Sequence, residues 1–103
     1  MPSIEIITSV VVDEVTLALD ELARACAVDA VWIVERVEAG LLDALHRQQP
    51  ASWRFSSAEL ARARRLAALE RDFDANPELA ALVADLIEEV ARLKRRLKAA
   101  GLE

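Results

Sequence analysis

The chain has 103 residues, which is the length of one domain and is too short to divide into two well-stabilised cores. Its 54% hydrophobic and 30% charged residues, with only 2 Gly and 3 Pro, are typical of a folded, helix-rich protein and exclude disordered and collagen-like classes. A formal net charge of −5 argues against a general attraction to nucleic acid phosphates. We therefore expect one small acidic domain, with at most an appended helix.

The N-terminal segment is apolar but does not have the pattern of a secretion signal, because it lacks a basic start and contains an acidic residue inside the apolar run. No stretch of the chain has the roughly 18–20 uncharged residues that a membrane-spanning helix needs. The expected location is therefore cytoplasmic. The β-branched residues of this segment predict one or two short strands, with a possible hairpin turn at Asp13 and Glu14 joining Ile4–Val12 to Val15–Leu19.

Two short helices with a tight connection are predicted next, as in a helix-turn-helix unit. Asp20 is the expected N-cap of the first helix, which ends at Cys26, because its carboxylate can accept hydrogen bonds from the first backbone N–H groups. Asp29 is the expected cap of the second helix, Ala30–Ala39, and Gly40 suits the left-handed position that ends it. Two sets of side chains are alternatives for the facing positions of the second helix: Val31, Val34 and Val37, or Trp32, Ile33 and Arg36.

A polar loop and a third helix follow. Residues 41–52 are predicted as a loop, and Trp53–Phe55 is predicted as a brief strand that returns to the core. The third helix is expected to begin at about Ser56, where the spacing to Glu59 fits a capping box, and to run to about Phe73.

The last helix, predicted from Pro77 to Ala100, carries a heptad pattern. Its apolar residues step alternately by four and three, and we call them the seam: Leu79, Val83, Leu86, Val90, Leu93 and Leu97. Such a stripe needs a cover, either the rest of the chain or a second copy, and the seam is predicted to form a dimer interface. Acidic residues dominate the first half of the helix and basic residues the second, which fits either the helix dipole alone or an antiparallel dimer.

No set of residues predicts catalysis or a cofactor. The one histidine, His46, lies in the polar loop without a paired acid, and the one cysteine, Cys26, lies on the apolar side of a short helix. One histidine and one cysteine do not complete a tetrahedral zinc shell. We therefore expect a protein that is not an enzyme and that binds neither a metal nor a cofactor.

The order of the elements resembles the DNA-binding domain of the MerR family. The resemblance rests on three segments: Leu17–Cys26, Glu38–Leu42 and Trp53–Ser56. It implies a mainly α fold, with a winged helix-turn-helix and short N-terminal and wing strands over residues 1–76, followed by a coiled-coil dimerisation helix over residues 77–103. Val34 stands where MerR regulators place an arginine that contacts DNA.

The charge distribution also departs from that of a DNA-binding domain. Residues 1–50 hold nine acidic and three basic side chains, a net charge of −6, whereas residues 51–103 hold nine acidic and ten basic ones, a net charge of +1. The half expected to read DNA is therefore the acidic half. A MerR-type DNA-binding transcriptional regulator is kept as the alternative function, and it would depend on basic residues of the wing and third helix: Arg54, Arg62, Arg64 and Arg65.

A closer resemblance is to the CbpM family of chaperone modulators, which are MerR-like proteins that bind the J-domain of a DnaJ-like co-chaperone of the CbpA type. It rests on the wing Trp53-Arg54-Phe55, the Arg-rich third helix, the break Asp74-Ala75-Asn76-Pro77 and the terminal heptads. It implies a homodimer that inhibits the co-chaperone by covering the basic J-domain surface that stimulates DnaK, an Hsp70 chaperone. An acidic helix-turn-helix complements that surface, and the predicted contact residues are Val34, Glu35, Glu38, Leu41, Leu42 and Asp43.

Overall fold

The computed structural model describes residues 16–102. The strand and hairpin predicted from Ile4–Val12 lie outside this range. The chain divides into two compact units, of which one ends at Arg64 and the other begins at Arg65, so the third helix contributes to both. The helix break expected before Pro77 lies inside the second unit.

The two strands of the structure form a small antiparallel sheet. β1 (Thr16–Ala18) pairs with β2 (Arg54–Ser56), and Leu17 lies opposite Phe55. The brief strand predicted after the loop is confirmed, and β1 lies within the predicted strand Val15–Leu19. Phe55 is fully buried, and its ring meets that of Trp53 edge to face, with ring centres 6.3 Å apart. The sheet thus joins the start of the first unit to the residues that precede the third helix.

The first helix, α1 (Leu19–Cys26), begins at the residue directly after β1. Its N-cap is Ala18, so the prediction of Asp20 as the cap is wrong. Pairing with β2 keeps the chain extended as far as Ala18, which leaves Asp20 inside the first helical turn. The carboxylate of Glu21 accepts a hydrogen bond from the Ala18 N–H at 2.7 Å, and this contact takes the place of the expected cap.

The second helix, α2 (Ala30–Glu38), begins and ends almost where the sequence predicts. Asp29 is the N-cap residue, although its side chain makes no capping hydrogen bond, and Gly40 has the expected left-handed conformation with φ of +80°. The buried residues are Ile33, Arg36 and Val37. This set shares Ile33 and Arg36 with the second predicted set and only Val37 with the first. The first set fails because Val31 and Val37, six residues apart, point roughly 120° away from each other on a helix.

The third helix, α3 (Ser57–Phe73), holds the loop that leads to it. The Glu59 N–H donates to the Ser56 hydroxyl at 3.3 Å, which confirms half of the predicted capping box. The Glu59 carboxylate accepts from the Asp43 N–H at 2.7 Å, and the Arg62 guanidinium donates to the Leu41 carbonyl at 2.8 Å. The first part of the loop is therefore fastened to the side of α3.

In the second unit, the end of α3 is followed by α4 (Pro77–Ala99), whose N-cap Asn76 accepts a hydrogen bond from the Leu79 N–H at 2.8 Å. Arg65 of α3 and Glu88 of α4 form an ion pair at 3.8 Å. The buried residues of α4 are small: Ala80, Ala81 and Ala84. Between residues 16 and 102 no helix combines the length and the apolar character that crossing a bilayer requires.

Candidate partner-binding surface

The solvent side of α2 presents one apolar and two acidic side chains. Val31, Glu35 and Glu38 are all exposed, and their spacing of four and three residues places them on one side of the helix. We call these three residues the α2 face. Val31 is 64% exposed, although the sequence suggested a facing position for it beside two other valines. Its spacing to the two glutamates was the signal that could have assigned it to the surface.

The basic residue of α2 offsets only part of this acidic face, because it pairs with Glu35 while its own side chain is covered. Arg36 is only 8% exposed, and its guanidinium carbon lies 4.2 Å from the centre of the Trp32 ring, in a cation–π contact. The guanidinium also donates to the Trp32 carbonyl at 3.4 Å and to the Glu35 carboxylate at 3.2 Å. The guanidinium is therefore covered and paired with Glu35, while both carboxylates of the α2 face remain exposed to solvent.

The other predicted contact residues follow α2 directly. The Arg36 carbonyl accepts hydrogen bonds from the N–H groups of Leu41 and Leu42, at 2.8 and 3.2 Å, and this ties the chain to the end of the helix. Leu41 is partly exposed and Asp43 is exposed, whereas Leu42 is buried in the core and is not offered to a partner.

Val34 of α2 is also only partly exposed. The accessible part of the predicted site therefore consists mainly of acidic side chains: Glu35, Glu38 and Asp43.

The four basic residues on which DNA binding would depend differ in their exposure and in the contacts that they make. Arg54 in β2 and Arg64 in α3 are exposed. Arg62 is half-buried and holds the loop through the Leu41 carbonyl, and Arg65 is paired with Glu88. Arg64 also donates to the Ala25 carbonyl at 3.5 Å, so three of the four arginines are engaged in contacts within their own unit.

The remaining reactive side chains have ordinary structural surroundings. Cys26 is buried, and burial raises the pKa of its thiol while the positive charge of Arg64 acts in the opposite direction. His46 is exposed at a left-handed position of the loop. Across residues 16–102 no group of three or more His, Cys, Asp or Glu side chains is placed to hold a metal ion.

A second surface lies on α4. Most seam residues are exposed, while the row of alanines beside them is buried: the exposed ones are Leu79, Leu86, Val90, Leu93 and Leu97. Leu82 and Ile87, which flank the seam, are exposed as well. Large apolar side chains in one continuous row on a small protein are typical of an interaction surface. The seam is therefore left without a cover in the single chain.

Comparison with known proteins gives a family model and several curated relatives that each match most of the chain. The model of the MerR helix-turn-helix regulatory family matches residues 17–100. Chaperone modulatory proteins CbpM from the Coxiella burnetii strains Dugway 5J108-111 and CbuG_Q212 are each 30% identical over 95 residues, which is 91% of this chain and 89% of theirs. No solved structure matches the chain significantly.

Proposed function

The chain belongs to the MerR helix-turn-helix family, among the relatives of the chaperone modulatory proteins CbpM, and we propose that it is itself a chaperone modulator. In this proposal it binds the J-domain of a DnaJ-like co-chaperone of the CbpA type and inhibits the stimulation of DnaK. The observation that carries the proposal is the α2 face, on which two carboxylates and one valine are exposed while Arg36 is covered.

Electrostatic complementarity supports this assignment. A basic J-domain surface is attracted by exposed carboxylates, which raises the rate of encounter, whereas a phosphate backbone is repelled by them. Val31 supplies an apolar contact beside the charges, and buried apolar contacts commonly contribute more binding energy than charges at the rim of an interface. The proposed contact residues are therefore Val31, Glu35, Glu38, Leu41 and Asp43, with Val34 at the edge.

The second part of the proposal concerns α4. We infer that the seam pairs with the seam of a second copy, so that the modulator is a homodimer. The exposed row of large apolar residues supports this inference, because a second copy removes the row from water without requiring any change in the helix.

The test is a titration of the purified protein into a J-domain co-chaperone while the stimulated ATPase of DnaK is measured. We expect the stimulation to fall to the basal rate as the protein reaches excess over the co-chaperone. Unchanged stimulation at excess, with the protein shown to be folded by circular dichroism, contradicts the proposal.

Charge-reversal variants locate the surface. Glu38→Lys is expected to weaken inhibition, and Asp72→Lys is the matched control, because Asp72 is exposed on α3, outside the α2 face, and the two substitutions change the charge equally. Equal losses in both variants contradict a role for the α2 face.

A DNA titration at low salt distinguishes the alternative function. A DNA-binding protein shows at least weak affinity for nonspecific duplex, with a steep dependence on salt concentration. We expect no such binding by the chain, and duplex binding that exceeds J-domain binding would favour the transcriptional regulator.

A further inference from the structure

An apolar notch lies at the turn between α3 and α4. Its volume is about 300 Å³, and its walls are almost entirely apolar: Leu69, Phe73, Ala75, Leu79, Ala80 and Val83. Phe73 stands at the end of α3 with 75% of its surface exposed. Such a notch, next to the first residue of the seam, is suited to an aliphatic side chain.

The other end of α4 carries an aliphatic side chain that extends the seam. The helix ends in a Schellman motif, in which the Leu102 N–H donates to the Leu97 carbonyl at 2.9 Å and the Gly101 N–H donates to the Lys98 carbonyl at 3.0 Å. Gly101 has the left-handed φ of +73° that this motif requires. The motif folds the chain back, so that Leu102 lies beside Leu97, the last residue of the seam, instead of continuing along the helix axis. Leu102 is 73% exposed.

The seam is symmetric about Glu88. Leu86 and Val90 are equally distant from it along the chain, as are Val83 and Leu93, and also Leu79 and Leu97. Two antiparallel copies that cross at Glu88 therefore place every seam residue opposite another seam residue. The same symmetry places Leu97 of one copy opposite Leu79 of the other, which lines the notch, and Leu102 lies beside Leu97 because its N–H is bonded to the Leu97 carbonyl.

We propose that the notch of each copy receives Leu102 of a second copy, and that this pair of contacts closes the two ends of an antiparallel dimer. The proposal rests on the homodimer inferred above and specifies which residues close its two ends. Leu102 fits because it is aliphatic, because the Schellman motif directs it back along the helix, and because symmetry brings it to the notch.

The distribution of charge on α4 favours the same direction. Glu78 and Asp85 lie in the first half of the helix, whereas the last turns carry basic side chains: Arg92, Lys94, Arg95, Arg96 and Lys98. Antiparallel pairing sets the acidic half of one copy beside the basic half of the other. Parallel pairing sets like charges side by side, which disfavours it.

Disulfide trapping tests the contact. In a Cys26→Ala background, chains with Ala75→Cys are mixed with chains with Leu102→Cys and oxidised, and we expect a disulfide-linked dimer only in the mixture. Each variant alone should stay unlinked, because antiparallel pairing about Glu88 separates the two copies of Leu97, beside which residue 102 lies, by roughly 27 Å at 1.5 Å per residue. Linkage of the Leu102→Cys chain to itself overturns the proposal in favour of parallel pairing.

Sedimentation equilibrium separates this proposal from the homodimer and from the J-domain function. Leu102→Asp is expected to raise the dimer Kd at least tenfold, whereas Leu102→Ile should keep it close to that of the unchanged chain. Leu45→Asp, at an exposed leucine outside α4, should leave the Kd unchanged.

An unchanged Kd in Leu102→Asp overturns the notch contact and leaves the homodimer standing. A chain that is monomeric throughout overturns both, and the ATPase titration still decides the J-domain function independently.

Discussion

Replacing Leu86 with alanine tests whether the seam is an interface between two copies. Leu86 is 57% exposed in the single chain, so its removal leaves no cavity in the core and should hardly change the stability of the monomer. In a dimer the exposed part becomes buried. Leu86→Ala removes about three carbons at about 0.8 kcal/mol per buried carbon, and only the 57% of the side chain that is exposed becomes buried on pairing, so the loss is about 1.4 kcal/mol for each copy.

The dimer contains two copies of this contact, so the expected loss is about 2.7 kcal/mol, or about a hundredfold in the dimer Kd. Sedimentation equilibrium over a range of concentrations measures the Kd directly. Leu45→Ala is the matched control, because Leu45 is 49% exposed but lies in the loop of the first unit. A Kd that changes equally in the two variants, or not at all in Leu86→Ala, would refute the reasoning.

Three further outcomes are expected. Glu35→Lys with Glu38→Lys should weaken J-domain binding more at low salt than at high salt, because screening shortens the reach of exposed charges; an effect independent of salt in binding titrations would contradict steering. Burial raises the pKa of Cys26, so its thiolate forms only at higher pH and alkylation at about pH 8 should be slow until urea unfolds the chain; equal rates with and without urea would contradict this. Asn76→Ala should lower the free energy of unfolding by about 1 kcal/mol in urea titrations, and Asp29→Ala, which removes no capping hydrogen bond, by less.

The features that could be predicted from the sequence are those set by local chemistry. Proline cannot continue a helix, so the break before Pro77 follows from that one residue. Gly40 likewise predicts the end of α2 by itself, because glycine adopts the left-handed conformation without a steric penalty. The cap of α1 was mispredicted because it is decided by pairing with β2, which lies far away in the sequence. Asp20 has the right chemistry for a cap and is placed inside the helix by the sheet.

The sequence alone could not predict which side of α4 is buried against its own chain. Its leucine row and its alanine row are both apolar, and periodicity alone does not tell which of them faces its own chain. The alanines are buried and the larger residues of the seam are exposed. Small side chains allow two helices to approach closely, so the buried side of α4 was the less conspicuous row in the sequence. The bulky row is thereby left exposed, which supports the proposed pairing with a second copy.

The acidity of the first unit depends on the conformation of one side chain as well as on composition. By sequence, α2 carries Glu35, Arg36 and Glu38, a formal charge of −1. A helix that binds phosphate has to project its basic side chains into solvent. Here the Trp32 ring and carbonyl hold the guanidinium of Arg36 against the helix, where it pairs with Glu35, so both carboxylates are exposed at the surface and the base is not. Trp32 therefore contributes to the sign of the surface charge although it carries no charge itself, which supports the proposed binding of a basic protein partner.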